Sequence, residues 1–176
     1  YIANRKRGDK GRHAARSGDM TSHNNNSEFI PLGSRPIDRA GHHRSDEAWL
    51  TAAYQRDDVL ILVVQKGLPL ITPEGGLVWL GPEAAKAAPD ARRLFMGLDK
   101  NGTPVFAIDV GDGFDLETSL IAGLGEFADF RMAMSRMSEL ELNLASTARS
   151  IFEWHKSHRF CAKCGTESEM EEAGWK

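Results

Sequence analysis

The sequence predicts an α+β fold: a mainly antiparallel sheet with flanking helices, followed by a partial zinc ribbon. Short apolar runs occupy positions 59–64, 68–71, 77–80, 94–98 and 105–110, and the first of them is rich in β-branched residues. A segment with helical periodicity follows at residues 138–156. The only two cysteines, Cys161 and Cys164, come last in a Cys-x-x-Cys-Gly turn.

The composition restricts the class of protein. The 176 residues are 41% hydrophobic and 27% charged, which is typical of a globular domain, and the net charge of -3 gives no general sign of nucleic-acid binding. No apolar stretch approaches the roughly 20 residues of a membrane span, so no membrane partner is expected. Because a single Cys-x-x-Cys pair is typical of a reducing compartment, we expect a cytoplasmic protein.

The first 34 residues have no apolar periodicity and are predicted to form a disordered tail. Six Lys or Arg and one Asp lie among the first 16 residues, and Met20 is a candidate start. A basic tail favours a second class of protein, a small zinc-binding module that interacts with nucleic acid or with other proteins. A disordered, solvated extension is the simpler interpretation.

The ordered domain is predicted to span residues 35–137 and to open with a short helix at 45–54. Ser45 is its candidate N-cap, and Trp49, Leu50 and Ala53 share one face. The run from Val59 to Val64 is uninterrupted by polar residues, which predicts a strand buried on both faces.

Two turns connect the remaining strands. Asn101-Gly102 separates the runs 94–98 and 105–110, and Asn-Gly between apolar runs is a strong hairpin signal. A Pro-Glu-Gly-Gly turn at 73–76 separates 68–71 from 77–80. These short connections favour antiparallel neighbours.

A connecting helix is predicted at residues 138–158. Ser138 and Glu141 have the spacing of a capping box, in which each side chain bonds the other residue's backbone N–H. One apolar stripe should face the sheet. It consists of Leu140, Leu144, Ala145, Ala148, Ile151, Phe152 and His155.

The Cys161–Cys164 turn is a candidate metal site. Two thiolates at this spacing chelate one ion, but a structural zinc takes four protein ligands, so the pair is half of a site. A redox dithiol is an alternative, although that chemistry is typical of a motif at a helix N-terminus. A second alternative adds His155 and His158 as the missing ligands within a single short segment.

Residues 152–165 carry a resemblance to a known family. The run Glu153-Trp154-His155 to Cys161-Ala162-Lys163-Cys164-Gly165 resembles the junction before the zinc ribbon of the NADH pyrophosphatase (NAD diphosphatase) branch of the Nudix hydrolases. Three further matches follow the family's order. They are Ile37-Asp38-Arg39 with Arg44 and Trp49, the block from Phe127 to Arg131, and Gly174-Trp175.

The resemblance implies an enzyme that hydrolyses the pyrophosphate bond of NADH or NAD to nicotinamide mononucleotide and AMP, and that also acts on NAD-capped RNA. It implies a homodimer, structural zinc with Cys161 and Cys164 as the first ligand pair, and catalytic Mg²⁺ or Mn²⁺. It also implies that Arg131 contacts the substrate, since a guanidinium matches the geometry of a pyrophosphate.

The sequence contains no Nudix box, the glutamate-rich motif that holds the catalytic metals in this family. Residues 159–176 therefore correspond to a partial ribbon, and we expect the remaining zinc ligands and the catalytic Nudix domain to be encoded beyond Lys176. No catalytic residue is assigned in this stretch, and we expect it to be inactive alone.

Overall fold

A computed structural model describes residues 37–176. The predicted tail at residues 1–34 lies outside the described part of the chain. These described residues form one five-stranded sheet with the strand order β3-β4-β1-β2-β5. The strands are β1 (Leu60–Gln65), β2 (Leu68–Ile71), β3 (Arg92–Leu98), β4 (Pro104–Asp109) and β5 (Glu126–Phe127).

The mainly antiparallel sheet expected from the sequence is confirmed. The pairs β1–β2, β2–β5 and β3–β4 are antiparallel, and the central pair β1–β4 is parallel. The predicted Asn-Gly hairpin joins β3 to β4, with Asp99 accepting bonds from the backbone N–H groups of Asn101 and Thr103 (both 2.8 Å).

The predicted strand at Leu77–Leu80 is wrong. Only its ends pair, through isolated bridges from Leu77 to Ile71 and from Leu80 to Ile61. The backbone N–H of Leu77 also donates to Glu141 Oε1, at 2.9 Å. The two bridges reach different strands, β2 through Ile71 and β1 through Ile61, so the segment does not form one continuous strand.

The sheet separates two apolar clusters because successive side chains of a strand point to opposite faces. On β1, Leu62 and Val64 belong to the first cluster, whereas Ile61 and Val63 belong to the second. Each of these four side chains is almost fully buried, so the predicted two-sided burial of this strand is confirmed.

Helices cover both faces of the sheet. They are α1 (Glu47–Tyr54), α2 (Glu83–Ala87), α3 (Phe130–Ala133) and α4 (Glu139–Ser157). Helix α4 contributes Leu144, Ala148 and Phe152 to the first cluster, and α1 contributes Ala53 and Tyr54 to the second. No helix within residues 37–176 combines the length and apolar character needed to span a bilayer.

Two details of the helices differ from the sequence-based expectation. Helix α1 is capped by Asp46 rather than Ser45, because the Asp46 carboxylate accepts from the backbone N–H of Trp49 at 2.9 Å. The capping box of Ser138 and Glu141 is confirmed, but Leu140, in the first turn after it, is 37% exposed. The polar residue Asn143 is buried in its place.

The segment before α1 pairs with the end of the edge strand β3. Asp38 and Leu98 exchange backbone hydrogen bonds of 2.9 and 2.7 Å. Gly97 allows this approach, because a Cβ there would lie 2.1 Å from the Asp38 carbonyl oxygen. The pairing places Arg39 beside α4, where its guanidinium donates to Asn143 Oδ1 at 3.1 Å.

The first cluster should depend on Phe152. We expect Phe152→Ala to lower the free energy of unfolding by about 3–5 kcal/mol, because the ring is 1% exposed and its removal leaves a cavity. Urea denaturation followed by circular dichroism measures the change. Leu140→Ala on the same helix is the matched control and should cost under about 1 kcal/mol. Equal losses of unfolding free energy in the two variants would contradict the burial of Phe152 in the first cluster.

Candidate metal centre

The two cysteines lie in a tight hairpin at the end of α4. Phe160 pairs with Glu167 in an antiparallel bridge. The backbone N–H of Cys161 donates to the Thr166 carbonyl, and that of Ser168 donates to the Arg159 carbonyl, both at 2.8 Å. The hairpin follows Ser157, the last residue of α4, after a short link.

The turn that carries the two cysteines ends on a glycine in the left-handed backbone region. Gly165 has a φ of +72°, and its N–H donates to the Cys161 carbonyl at 2.8 Å, which closes the turn. Both thiols are exposed to solvent and neither is in a disulfide. Side chains held in this way can reach one metal ion from the same turn.

The environment of Cys164 favours its thiolate. The Thr166 hydroxyl lies 3.3 Å from Sγ. Hydrogen bonding by this hydroxyl, then by the Thr166 backbone and by Cys161, lowers the pKa of Cys164 from 9.0 to about 7. Because zinc binds thiolates, a lowered pKa reduces the cost of ionising the ligand at neutral pH.

The donor set fits half of a structural zinc site. Within residues 37–176, no three His, Cys, Asp or Glu side chains come close enough together to hold a metal ion. His155 Nε2 instead lies 2.8 Å from the Gly174 carbonyl, and His158 Nδ1 lies 2.9 Å from Ser157 Oγ. The structure thus brings the two thiols together without either histidine, and zinc would need two further ligands.

The chain after the hairpin returns to the sheet as a closed loop, residues 171–176. Glu171 and Lys176 exchange backbone hydrogen bonds of 2.8 and 3.1 Å. Trp175 Nε1 donates to the Phe95 carbonyl of β3 at 2.7 Å. At Gly174, a Cβ would lie only 2.9 Å from the Arg93 carbonyl oxygen, so a larger residue would force the loop away from β3.

Two arginines from the segment before α1 face the indole of Trp175. The guanidinium carbons of Arg44 and Arg39 lie 3.9 and 5.7 Å from the ring centroid. Burial, and then the nearby charge of Arg44, lowers the pKa of Arg39. Sequence reasoning noted these arginines only as part of the family resemblance. Their contact with Trp175, more than 130 positions away, had no local signature.

An open groove of about 850 Å³ lies between α1, the start of β3 and the 171–176 loop. Its arginines already have partners on the protein: Arg44 stacks on Trp175, Arg92 bonds the buried carboxylate of Asp109, and Arg93 lies over Tyr54. Several carboxylates also line the groove, so it is not a cationic site for a phosphate. They are Glu47, Asp90, Glu169, Glu171 and Glu172.

Arg131 lies near the edge of the sheet opposite to β3, and so away from this groove. It is in α3, whose N-cap Asp129 accepts from the Arg131 backbone N–H at 2.8 Å. Helix α3 contacts β2, and the backbone of Ala128 bonds that of Pro69. The side chain is exposed, and no ion pair to it is formed within residues 37–176.

Two family profiles match consecutive parts of the chain. The NADH pyrophosphatase-like rudimentary NUDIX domain matches residues 58–154, which include the sheet and most of α4. The NADH pyrophosphatase zinc ribbon domain matches residues 156–176, which include the cysteine hairpin and the docked loop. An α+β domain joined to a ribbon is thus the class of protein, and the chain belongs to the NADH pyrophosphatase family of Nudix proteins.

Curated relatives agree with this family. The chain is 28% identical over 120 residues to human NAD(P)H pyrophosphatase NUDT13, mitochondrial, covering 60% of this chain and 34% of that protein. It is 32% identical over 130 residues to Nudix hydrolase 19, chloroplastic, of Arabidopsis thaliana, covering 72% and 25%. It is 36% identical over 44 residues to human NAD-capped RNA hydrolase NUDT12, covering 25% and 10%. The chain thus spans about a third or less of these relatives.

The hydroxyl of Thr166 should control the reactivity of Cys164. We expect Thr166→Val to raise the pKa of Cys164 from about 7 towards its ordinary value, because the hydrogen bond that stabilises the thiolate is lost. Alkylation by iodoacetamide between pH 6 and pH 9, read at each cysteine by peptide mass spectrometry, measures the pKa. Ser168→Ala in the same hairpin is the control. An unchanged Cys164 profile in Thr166→Val would contradict the assignment.

Proposed function

We propose that this chain is the N-terminal part of an NAD(H) diphosphatase, which hydrolyses the pyrophosphate bond of NADH or NAD to nicotinamide mononucleotide and AMP. The observation that carries the proposal is the cysteine hairpin placed directly after α4 of an NADH pyrophosphatase-like domain. Profiles of that domain and of its zinc ribbon match the chain in this order. We further propose a division into a domain at 35–137, a connecting helix at 138–158 and a partial ribbon at 159–176.

The names of the relatives support the proposed substrates. One is named a NAD(P)H pyrophosphatase and another a NAD-capped RNA hydrolase, so NADH, NAD and NAD-capped RNA form the proposed substrate class. Nucleic acid enters this proposal only as a capped transcript. A homodimer and a cytoplasmic location complete the proposal, and they rest on the family resemblance and on the cysteine content.

Zinc has a structural role in this proposal. Cys161 and Cys164 would hold the ion together with two further ligands, and their solvent-exposed turn leaves the ion open to a second ligand pair. Mg²⁺ or Mn²⁺ would be held by Nudix-box glutamates, which this sequence does not contain, and would polarise the phosphoryl oxygens and activate water. The described residues contribute binding and positioning to the reaction.

Arg131 is the proposed substrate-binding residue of this stretch. Its guanidinium is exposed and free of carboxylates within hydrogen-bonding distance in the described part of the chain. A planar, permanently charged fork can bond two oxygens of a pyrophosphate at once. The cap by Asp129 fixes the backbone of α3 and therefore the base of this side chain.

The 176-residue chain should not hydrolyse NADH. We expect no AMP or nicotinamide mononucleotide above the no-enzyme background with Mg²⁺ or Mn²⁺ present, because the residues that hold the catalytic metals are absent from its sequence. Product analysis by liquid chromatography measures this, with an active NADH pyrophosphatase as the positive control. Metal-dependent turnover by the purified chain would overturn the assignment of catalysis to a Nudix box outside it.

Substitution of Arg131 should weaken substrate binding. We expect Arg131→Gln to raise the Kd for NADH roughly tenfold, because a charge-assisted hydrogen bond to the pyrophosphate is lost. Titration followed by NADH fluorescence measures the Kd. Arg56→Gln, which removes an exposed arginine already paired with Asp58, is the control and should leave the Kd unchanged. Equal Kd values for the parent chain and Arg131→Gln would count against this role.

A further inference from the structure

The 171–176 loop contains three consecutive residues in the left-handed backbone region. The φ angles are +49° at Glu172, +55° at Ala173 and +94° at Gly174. Glycine adopts this conformation freely, whereas the Cβ of other residues is crowded there. Two neighbouring non-glycine residues in this region persist only where the surrounding structure holds them.

Contacts from three separate parts of the fold hold the loop. Trp175 Nε1 donates to the Phe95 carbonyl of β3 at 2.7 Å, and His155 Nε2 of α4 donates to the Gly174 carbonyl at 2.8 Å. Arg44, which precedes α1, stacks on the Trp175 ring at 3.9 Å from its centroid. None of these contacts is a hydrogen bond within the loop, and none of them joins two strands of the sheet.

Two arginines of the segment before α1 lie against the docked loop. Arg39 and Arg44 face the same indole. Arg44 Nε is buried and has no hydrogen-bond partner within residues 37–176. The docked loop therefore carries backbone strain and lies against an unsatisfied donor, and its release would relieve both.

We propose that the 171–176 loop is a strap that opens and closes on β3 while the sheet stays folded. The paired backbone bonds between Glu171 and Lys176 keep the loop intact, so it moves as one unit. In the closed state the strap fixes the Cys161–Cys164 hairpin relative to the sheet. In the open state the hairpin is attached only through α4 and moves about its end. The strap is a property of the fold and does not depend on the proposed enzymatic function.

Hydrogen exchange of the tryptophan indole N–H groups tests the strap in the 176-residue chain. Four indole signals are expected in a ¹H–¹⁵N spectrum and can be assigned with single Trp→Phe variants. The Trp175 indole should exchange more slowly than that of Trp154, which is 50% exposed. Relative to its intrinsic exchange rate, it should be less protected than the amide of Leu62 in the central strand, which opens only on global unfolding.

A glycine substitution tests the origin of the opening. Ala173→Gly should slow exchange of the Trp175 indole several-fold, because glycine relieves the strain of the closed strap. His155→Ala should accelerate it by removing the bond to Gly174. Ala162→Gly in the neighbouring cysteine turn, where φ is not positive, is the matched control and should not slow it.

Three results would overturn the proposal that the 171–176 loop opens and closes as a strap. Protection of the Trp175 indole equal to that of the Leu62 amide, each corrected for its intrinsic exchange rate, would show that the loop opens only on global unfolding. Exchange as fast as that of Trp154 would show that the loop does not dock. Faster Trp175 exchange in Ala173→Gly than in the parent chain would show that the left-handed residues are not a source of opening.

Discussion

The two-sided burial of β1 is the constraint on which the rest of the structure depends. The strand lies between β4 and β2, and its alternate side chains enter different clusters. Leu62 and Val64 require cover on one face, which α4 supplies, while Ile61 and Val63 require cover on the other, which α1 and α2 supply. A sheet with both faces apolar cannot leave either to solvent, so the positions of the helices follow from one six-residue run.

Helices cover the faces of the sheet, but its edge strands also need partners. The partners of the edge strand β3 determine how the cysteine hairpin is attached. An unpaired edge strand exposes backbone donors and acceptors that other chains can pair with. Here Asp38 pairs with Leu98 at one end of β3, and Trp175 bonds the Phe95 carbonyl further along it. The contact that protects the edge is therefore the same contact that holds the ribbon loop, which links the stability of the sheet to the geometry beside Cys161 and Cys164.

Local patterns predicted the elements whose energetics are local. The β1 run, the Asn101-Gly102 hairpin and the Ser138–Glu141 capping box depend on neighbours within a few residues, and the structure confirms them. The predictions that the structure contradicts concern residues whose partners are distant in the sequence. Residues 77–80 pair only at their two ends, through isolated bridges to different strands, and Leu140 is displaced from the core face, where Arg39 bonds Asn143. Likewise, the Cys-x-x-Cys spacing predicted a metal turn, but no spacing could place Trp175 against Arg44.

The order of the strands separates the two candidate roles in this chain. Arg131 follows β5 at one edge of the sheet, whereas the ribbon loop docks on β3 at the other edge. Four strand intervals of about 4.8 Å place these edges roughly 19 Å apart. If Arg131 holds a pyrophosphate as proposed, that group would be remote from the contacts that anchor the ribbon. Zinc at the cysteine hairpin would then act on the proposed reaction only through the position of the ribbon, and the docking of Trp175 would link metal binding to the rest of the domain.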